Sequence, residues 1–433
     1  MPPQPPGMHE PGANPADAGF DEEQRLQGVE PGVDPLDADY TQSLSEEVLG
    51  PVFDHYFRPR IIGAERLPGQ GPMILAVNHS GNTFPYDAIV LDGTLWRRSG
   101  FDPLQKFRSM YEKELSATWW MRPCGIDTFW RRAGAVDQTF ANFDELLKRG
   151  DRLIYYPEGV PGIGKGFARR YQLQPFHTAF IVLAARHRAP VYPVHVVNAE
   201  WTIPFSFTFK WLDRLMDRLF HVPFLPLPWA IIAIVLPWAW YLALPARMIF
   251  KVGQPIDVHR LATSMGVTDF ENPDRYAMQQ LAEHIRLQMQ AELTAAVAKY
   301  GNHPYQGRLL LRQLRRARGR LHWVLPTGWV VAFLRHDRNR RRGPARNKLI
   351  AFLRDFDLAA FYLPFGWPLL SLARAFRKPP YGYRGLSRRE RRRVEGTYRW
   401  DLRTAPLPPR PDGTAPDPRS GPPAVPAPHP DYV

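Results

Sequence analysis

Met73-Ile74-Leu75-Ala76-Val77-Asn78-His79-Ser80-Gly81 is an apolar run closed by turn formers, and Leu153-Ile154-Tyr155-Tyr156-Pro157-Glu158-Gly159 repeats the arrangement about eighty residues on. Both runs are too short for helices and rich in aliphatic or aromatic residues, so both read as buried strands. In an α/β sheet, side chains just past the carboxyl ends of strands gather in one crevice. That placement predicts His79, Asp87 and Glu158 on a common rim.

Working outward, Pro85 suits the first turn of a helix, where its missing N–H costs nothing, and Ala88-Ile89-Val90-Leu91 continues that helix. Asp87 then lies near a positive helix end and is expected to stay ionised. A second helix is expected from an Asp137 N-cap, with Phe140, Phe143 and Leu147 on one face and Gly150 closing it. A third, Pro175 to Arg188, leads into a strand from Val191 to Val197. Met248 to Gly253 reads as a last strand, and Asp274 to Tyr300 as an amphipathic helix with Leu281, Ile285, Met289, Leu293 and Val297 in register. Strand, helix and strand in succession argue for an α/β fold with a mainly parallel mixed sheet flanked by helices.

The 433 residues suffice for one large domain with extensions or two modest ones, and 44% hydrophobic content fits a globular protein. The 46 prolines cluster at the termini and in one apolar stretch. Residues 1–45, rich in Pro, Gly, Asp and Glu, read as a disordered tail, and 406–433 as a Pro-rich one. Between them the expected organisation is a main domain over 46–300 and a basic, aromatic, mostly helical extension over 301–405. Residues 222–246 carry no charge and match a bilayer in length, but Pro223, Pro226, Pro228, Pro237 and Pro245 interrupt them. They read as a membrane-surface or re-entrant segment, with an apolar loop packed on the core as the alternative. Leu358 to Leu372 is apolar but short for a span.

Charge is uneven. The net +14 divides into +18 over residues 301–433, where 27 Lys and Arg face nine Asp and Glu, and −4 over the rest. Arg308 to Arg320, Arg335 to Arg346 and Arg388 to Arg393 alternate with Trp323, Trp329, Phe333, Phe352 and Phe361, a composition that wants an anionic partner. No nucleic-acid module is recognised, so membrane lipid is the expected partner rather than nucleic acid. Cys124 is the single cysteine, so no intramolecular disulfide can form. The N-terminus lacks the zones of a secretory signal, which places the expected site on the cytoplasmic face of a membrane. No CxxC, HExxH or clustered His/carboxylate pattern suggests a metal.

Four blocks in order carry a family resemblance: His79 to Asp87; a loose match at Gly125, Phe129 and Arg131 or Arg132; Tyr156 to Gln174 with Pro157-Glu158-Gly159, Gly164-Lys165 and Arg170-Tyr171-Gln172-Leu173; and Ala189 to Val194. Over roughly residues 50 to 260 the chain resembles the glycerolipid and lysophospholipid acyltransferases, in the bacterial branch grouped with monoacylglycerol and diacylglycerol acyltransferases. The resemblance implies direct transfer of a fatty acyl group from acyl-CoA or acyl carrier protein, with no cofactor beyond that co-substrate. It implies Glu158 and Gly159 as acceptor-binding residues. Two departures stand out: seven residues separate His79 from Asp87, more than in the better-known members, and Pro161 stands where phosphate-binding members commonly have an Arg.

Moving an acyl group to an alcohol needs a base for the hydroxyl proton, an orienter for that base, and stabilisation of the oxyanion. His79 is the expected base and Asp87 its orienter, with Asp92 as fallback. Ser80 as a nucleophile is the competing scheme, but it lacks a Gly-x-Ser-x-Gly elbow. Asn78 and Ser80 are expected to hydrogen-bond around the base, and Lys165, Arg169 and Arg170, with Arg131 or Arg132, are the cations available to a phosphate or carrier. The alternative to an enzyme is a non-catalytic lipid-binding relative, motivated by the long His-to-Asp loop and the missing Arg.

Overall fold

The computed structural model describes residues 36–80, 84–112, 121–207, 209, 211, 229–271, 273–316 and 328–375. Seven strands, β1 (Arg60–Ile62), β2 (Met73–Val77), β3 (Phe107–Tyr111), β4 (Val136–Asp137), β5 (Arg152–Tyr155), β6 (Val191–Val197) and β7 (Ile249–Val252), form one sheet. Its order is β1-β7-β6-β2-β5-β3-β4. β6 and β7 pair antiparallel and every other neighbouring pair is parallel, as the expected mixed sheet requires.

All five residues of β2 are buried, and they divide by pleat. Met73, Leu75 and Val77 join one apolar layer; Ile74 and Ala76 join the other. Helix α1 (Tyr86–Arg98) covers the first face, while α2 (Phe140–Lys148), α3 (Ala179–His187) and α4 (Arg275–Tyr300) cover the second. Leu281, Ile285, Met289 and Leu293 of α4 are buried at the expected helical spacing. Two helix starts shift. Asp137 ends in β4, and the N-cap of α2 is Thr139, whose Oγ1 accepts from the Asn142 N–H at 3.1 Å. α3 begins at Ala179 instead of near Pro175.

The expected boundaries at 45 and 301 change. Ala38–Leu44 is helical, capped by Asp37, and Tyr40, Leu44 and Val48 enter the first apolar layer at a spacing of four that the surrounding Pro and acidic residues disguise. At the other end, helix α5 (Gly328–Arg342) buries Trp329, Val330 and Phe333 in the same layer. Trp329 Nε1 donates to Tyr86 Oη at 3.2 Å, and Arg132 forms a buried ion pair with Asp337. Residues 328–342 therefore share the core of the main domain. The far tails, Trp323 and Arg388 to Arg393 lie outside the described residues.

Of the uncharged stretch, 222–228 also lies outside them. Its remainder forms a short helix, Trp229–Val235, and a 3-10 turn, Pro237–Tyr241. Ile231 and Ile234 are exposed, whereas Ala239, Trp240 and Tyr241 are buried, so surface segment and core-packed loop are successive parts of one stretch. Among the described residues no helix is long and apolar enough to cross a membrane.

Candidate functional site

β2 and β5 pair with Met73 opposite Arg152 and Ala76 opposite Tyr155. Carried past the strand ends, the same offset sets His79 opposite Glu158. The contact is direct: the His79 N–H donates to Glu158 Oε1 at 2.9 Å, while Glu158 Oε2 accepts from the Gln174 N–H at 2.8 Å. Lys165 Nζ donates to the His79 carbonyl at 2.6 Å and lies 3.5 Å from Glu158 Oε2. A buried carboxylate and a buried ammonium thus grip opposite sides of one residue's backbone. Both charges are desolvated, and each is acceptable there because the other is present.

The His79 side chain is held by Asp87 in the first turn of α1. Nδ1 lies 3.2 Å from Asp87 Oδ2, which also accepts from the Ser80 N–H at 3.0 Å, and Oδ1 accepts from the Ala88 N–H at 2.9 Å. Burial alone would push the Asp87 carboxyl up; the His79 imidazole and the two N–H donors outweigh it and hold the group below the usual carboxylate range. An ionised Asp87 makes Nδ1 the donor and leaves Nε2 as the basic nitrogen.

The seven-residue connection closes because its far end enters the core. Gly81, Asn82 and Thr83 are outside the described residues, but Phe84 is fully buried against Tyr241 and Trp329, and Tyr86 Oη donates to the Tyr241 carbonyl at 2.5 Å. Two aromatic anchors bring Asp87 back beneath the imidazole. Asp92, the fallback, is taken by Lys106 Nζ at 2.6 Å.

An apolar cavity of about 310 Å³ begins at this pair. His79, Tyr156 and Gly159 line it, and so do Pro85, Ala88, Ile89, Asp92, Gly93 and Trp96, one face of α1. From Pro85 to Trp96 that face runs about 16 Å. Leu44, Leu49, Met110, Phe129 and Ile163 contribute further wall. The His79 ring stacks on Tyr156 with centroids 3.9 Å apart and planes 14° from parallel.

The other expected site residues divide. Gly159 is needed for its backbone: φ is +55°, and a Cβ there would come within 2.9 Å of His177 Nε2. Asn78 instead extends the sheet, accepting from the Val196 N–H at 2.7 Å and donating to its carbonyl at 3.3 Å. Glu158 is fully buried, is absent from the cavity wall and spends both oxygens on backbone N–H groups, so it holds the His79 backbone where the resemblance implied acceptor binding. Arg170 lies over the Phe167 and Trp201 rings, and Arg132 is committed to Asp337 and Thr128. Neither these nor Arg131 lines the cavity. Among the described residues no cluster of three His, Cys, Asp or Glu suits a metal ion. The residue that sequence reasoning passed over is Tyr156, taken as strand core; its signal was a polar-tipped aromatic at the carboxyl end of a strand, beside Pro157.

Residues 58–197 match the family model described as Acyltransferase. The chain is 27% identical over 242 residues to uncharacterized protein Rv0502 of Mycobacterium tuberculosis, covering 55% of this chain and 62% of the relative. It is 27% identical over 239 residues to uncharacterized protein ML2427 of Mycobacterium leprae, covering 55% and 60%. The match thus spans about three fifths of the length of these curated relatives. Among solved structures, the 1-acyl-sn-glycerophosphate (LPA) acyltransferase PlsC from Thermotoga maritima is similar at 16% identity and a TM-score of 0.35, over 59% of this chain and 80% of that one.

Proposed function

From the match of residues 58–197 to the acyltransferase family, we propose that this chain is a membrane-associated O-acyltransferase moving a fatty acyl group from acyl-CoA or acyl carrier protein to a glycerolipid or lysophospholipid hydroxyl. The observation that carries the reading is the His79–Asp87 pair opening onto a long apolar cavity. His79 Nε2 takes the alcohol proton as the oxygen attacks the thioester carbonyl, and Asp87 stabilises the imidazolium. Collapse of the tetrahedral intermediate breaks the C–S bond, and the departing thiolate takes the proton back from His79. The apolar wall along α1 suits an acyl chain.

The acceptor reading favours a neutral glyceride. Pro161 lines the cavity where an Arg would serve a phosphate, and the nearby cations are engaged: Lys165 with His79 and Glu158, Arg169 with the Lys165 carbonyl, Arg170 on two rings. The alternative of a non-catalytic lipid binder drew on the long loop and the missing Arg; the closed His79–Asp87 contact weighs against the first motive, while Pro161 leaves the second standing.

Membrane association is supported by a contiguous exposed apolar face. The Phe365 N–H donates to the Val235 carbonyl and Trp367 Nε1 to the Ala233 carbonyl, which sets exposed Ile231 and Ile234 beside exposed Phe365 and Leu369. Phe352, Leu353 and Phe356 are further exposed apolar side chains, while Arg338 and Arg354 near them are paired with Asp355 and Asp357 and do not serve as headgroup contacts. Apolar side chains enter the interface, on the cytoplasmic leaflet in this reading. The test is an assay of purified protein with acyl-CoA or acyl carrier protein donors and monoacylglycerol, diacylglycerol, lysophosphatidate and lysophospholipid acceptors, with His79→Ala as control. Acylation of a glyceride by wild type alone is expected; equal product from both proteins across the panel overturns the proposal.

A further inference from the structure

Tyr156 is 6% exposed, lines the cavity and stacks on the base, yet its hydroxyl has no hydrogen-bond partner among the described residues. A buried phenol without a partner is unusual and calls for a reason. Burial, with the negative charges of Asp87 and Asp92 adding to it, pushes the phenol well above its ordinary pKa, so it stays protonated and can only donate or accept as O–H. Four other donors around the base among the described residues are committed. The His79 N–H goes to Glu158, the Ser80 N–H to Asp87, the Gly159 N–H to the Tyr156 carbonyl, and Lys165 to the His79 carbonyl.

We propose that the Tyr156 hydroxyl is a catalytic residue that donates a hydrogen bond to the acyl carbonyl oxygen as it becomes the tetrahedral oxyanion. The inference rests on the acyl-transfer reading above. Near-parallel stacking at 3.9 Å sets the phenol ring against the imidazole, and both residues line the one cavity, so a substrate held there has both groups in its wall. As the alcohol oxygen bonds to the carbonyl carbon, the C=O π pair moves onto oxygen, which accepts from Tyr156 Oη–H. No proton moves from the phenol, and the hydrogen bond relaxes when the carbonyl reforms and the C–S bond breaks. A donor aimed at developing charge in an apolar, water-poor cavity contributes far more than the same donor in water. The stack has a separate positioning role, since it keeps the imidazole plane in place when the hydroxyl is absent.

Tyr156→Phe keeps the ring and removes the donor; Tyr156→Leu removes both. Tyr156→Phe is expected to lower kcat about 10²-fold with donor KM within about threefold of wild type and an unchanged melting temperature, and Tyr156→Leu to fall further. A second measurement uses a non-transferable ketone analogue of the donor, an acyl-pantetheine whose thioester sulfur is replaced by CH2, titrated calorimetrically. Loss of one hydrogen bond to its carbonyl is expected to weaken binding to Tyr156→Phe about 3- to 10-fold. Wild-type kcat in Tyr156→Phe, with only Tyr156→Leu impaired, overturns the proposal and leaves a stacking role alone. Should wild type acylate nothing on the panel, the acyl-transfer reading fails, and the ketone titration decides the Tyr156 contact by itself, with equal affinity of wild type and Tyr156→Phe counting against it.

Discussion

Two buried histidines in this protein sit against carboxylates just past or within neighbouring central strands. His79 follows β2 and meets Asp87 at 3.2 Å; His195 lies in β6 and meets Glu292 of α4 at 2.9 Å. The shorter contact belongs to the pair that does not line this cavity, for His195 is fully buried between sheet and helix. Each carboxylate is held below its usual range: Asp87 against the opposition of burial, Glu292 chiefly through its hydrogen bond from His195. A histidine–carboxylate contact is therefore an ordinary way to satisfy a buried imidazole. What sets His79 apart is an open basic nitrogen facing an apolar cavity and a backbone clamped on both sides.

The most severe test of that contrast is substitution of each imidazole. His79→Ala is expected to lower kcat at least about 10³-fold and also to cost about 1–3 kcal/mol of stability because buried Asp87 loses its imidazole partner, and Asp87→Asn to cost about 10²-fold or more in kcat by releasing the tautomer. His195→Ala is expected to keep activity within a few-fold while lowering stability by about 1–3 kcal/mol, read by urea denaturation. An inactive but fully stable His195→Ala would erase the distinction.

The next effect concerns the clamp. Glu158→Gln leaves Lys165 charged and buried beside the His79 carbonyl, and breaking such a pair costs about 3–5 kcal/mol. Adding Lys165→Met removes the uncompensated charge, so the double variant is expected to melt above Glu158→Gln while kcat stays low, because the His79 peptide is still released. Recovery of activity along with stability would show that Glu158 serves the fold and not the base.

The smallest effect sharpens the electrostatics behind the clamp. Glu200 is fully buried, and burial pushes its carboxyl up to about 8, with nearby Lys165 and backbone N–H groups opposing the shift. Below its unfolded value, near 4.5, both folded and unfolded chains hold the proton and the group costs nothing. Between there and about 8 the unfolded chain ionises while the folded one resists, so stability falls as pH rises, then levels off. Glu200→Gln is expected to flatten this decline, with the largest gain in melting temperature at pH 8 and none at pH 4.5. A gain that is the same at every pH would show that ionisation of Glu200 plays no part.

Much of this was legible from residues alone, because strands and turns leave local marks. The β2 and β5 runs, the α4 stripe, the juxtaposed His79, Asp87 and Glu158 and the Gly159 turn all stand where period-2 or period-3.6 patterns and turn formers put them. Arg132 was misread as a site cation because its partner, Asp337, lies 205 residues away. Glu158 was read as facing substrate because sequence cannot tell a carboxylate turned toward a backbone N–H from one turned toward a cleft.

The linear order of residues determined the central strands β2, β5, β6 and β7 and the residues gathered at their carboxyl ends, though not β3 or β4, since hydrophobic periodicity and turn geometry act over a few neighbours. Tertiary packing alone decided which imidazole faces a cavity, that Tyr156 lies against it, and that helices Ala38–Leu44 and Gly328–Arg342 close the same apolar layer. The reason is that burial is a property of what surrounds a side chain, and for Tyr86 and Trp329 those surroundings are assembled from segments 243 residues apart.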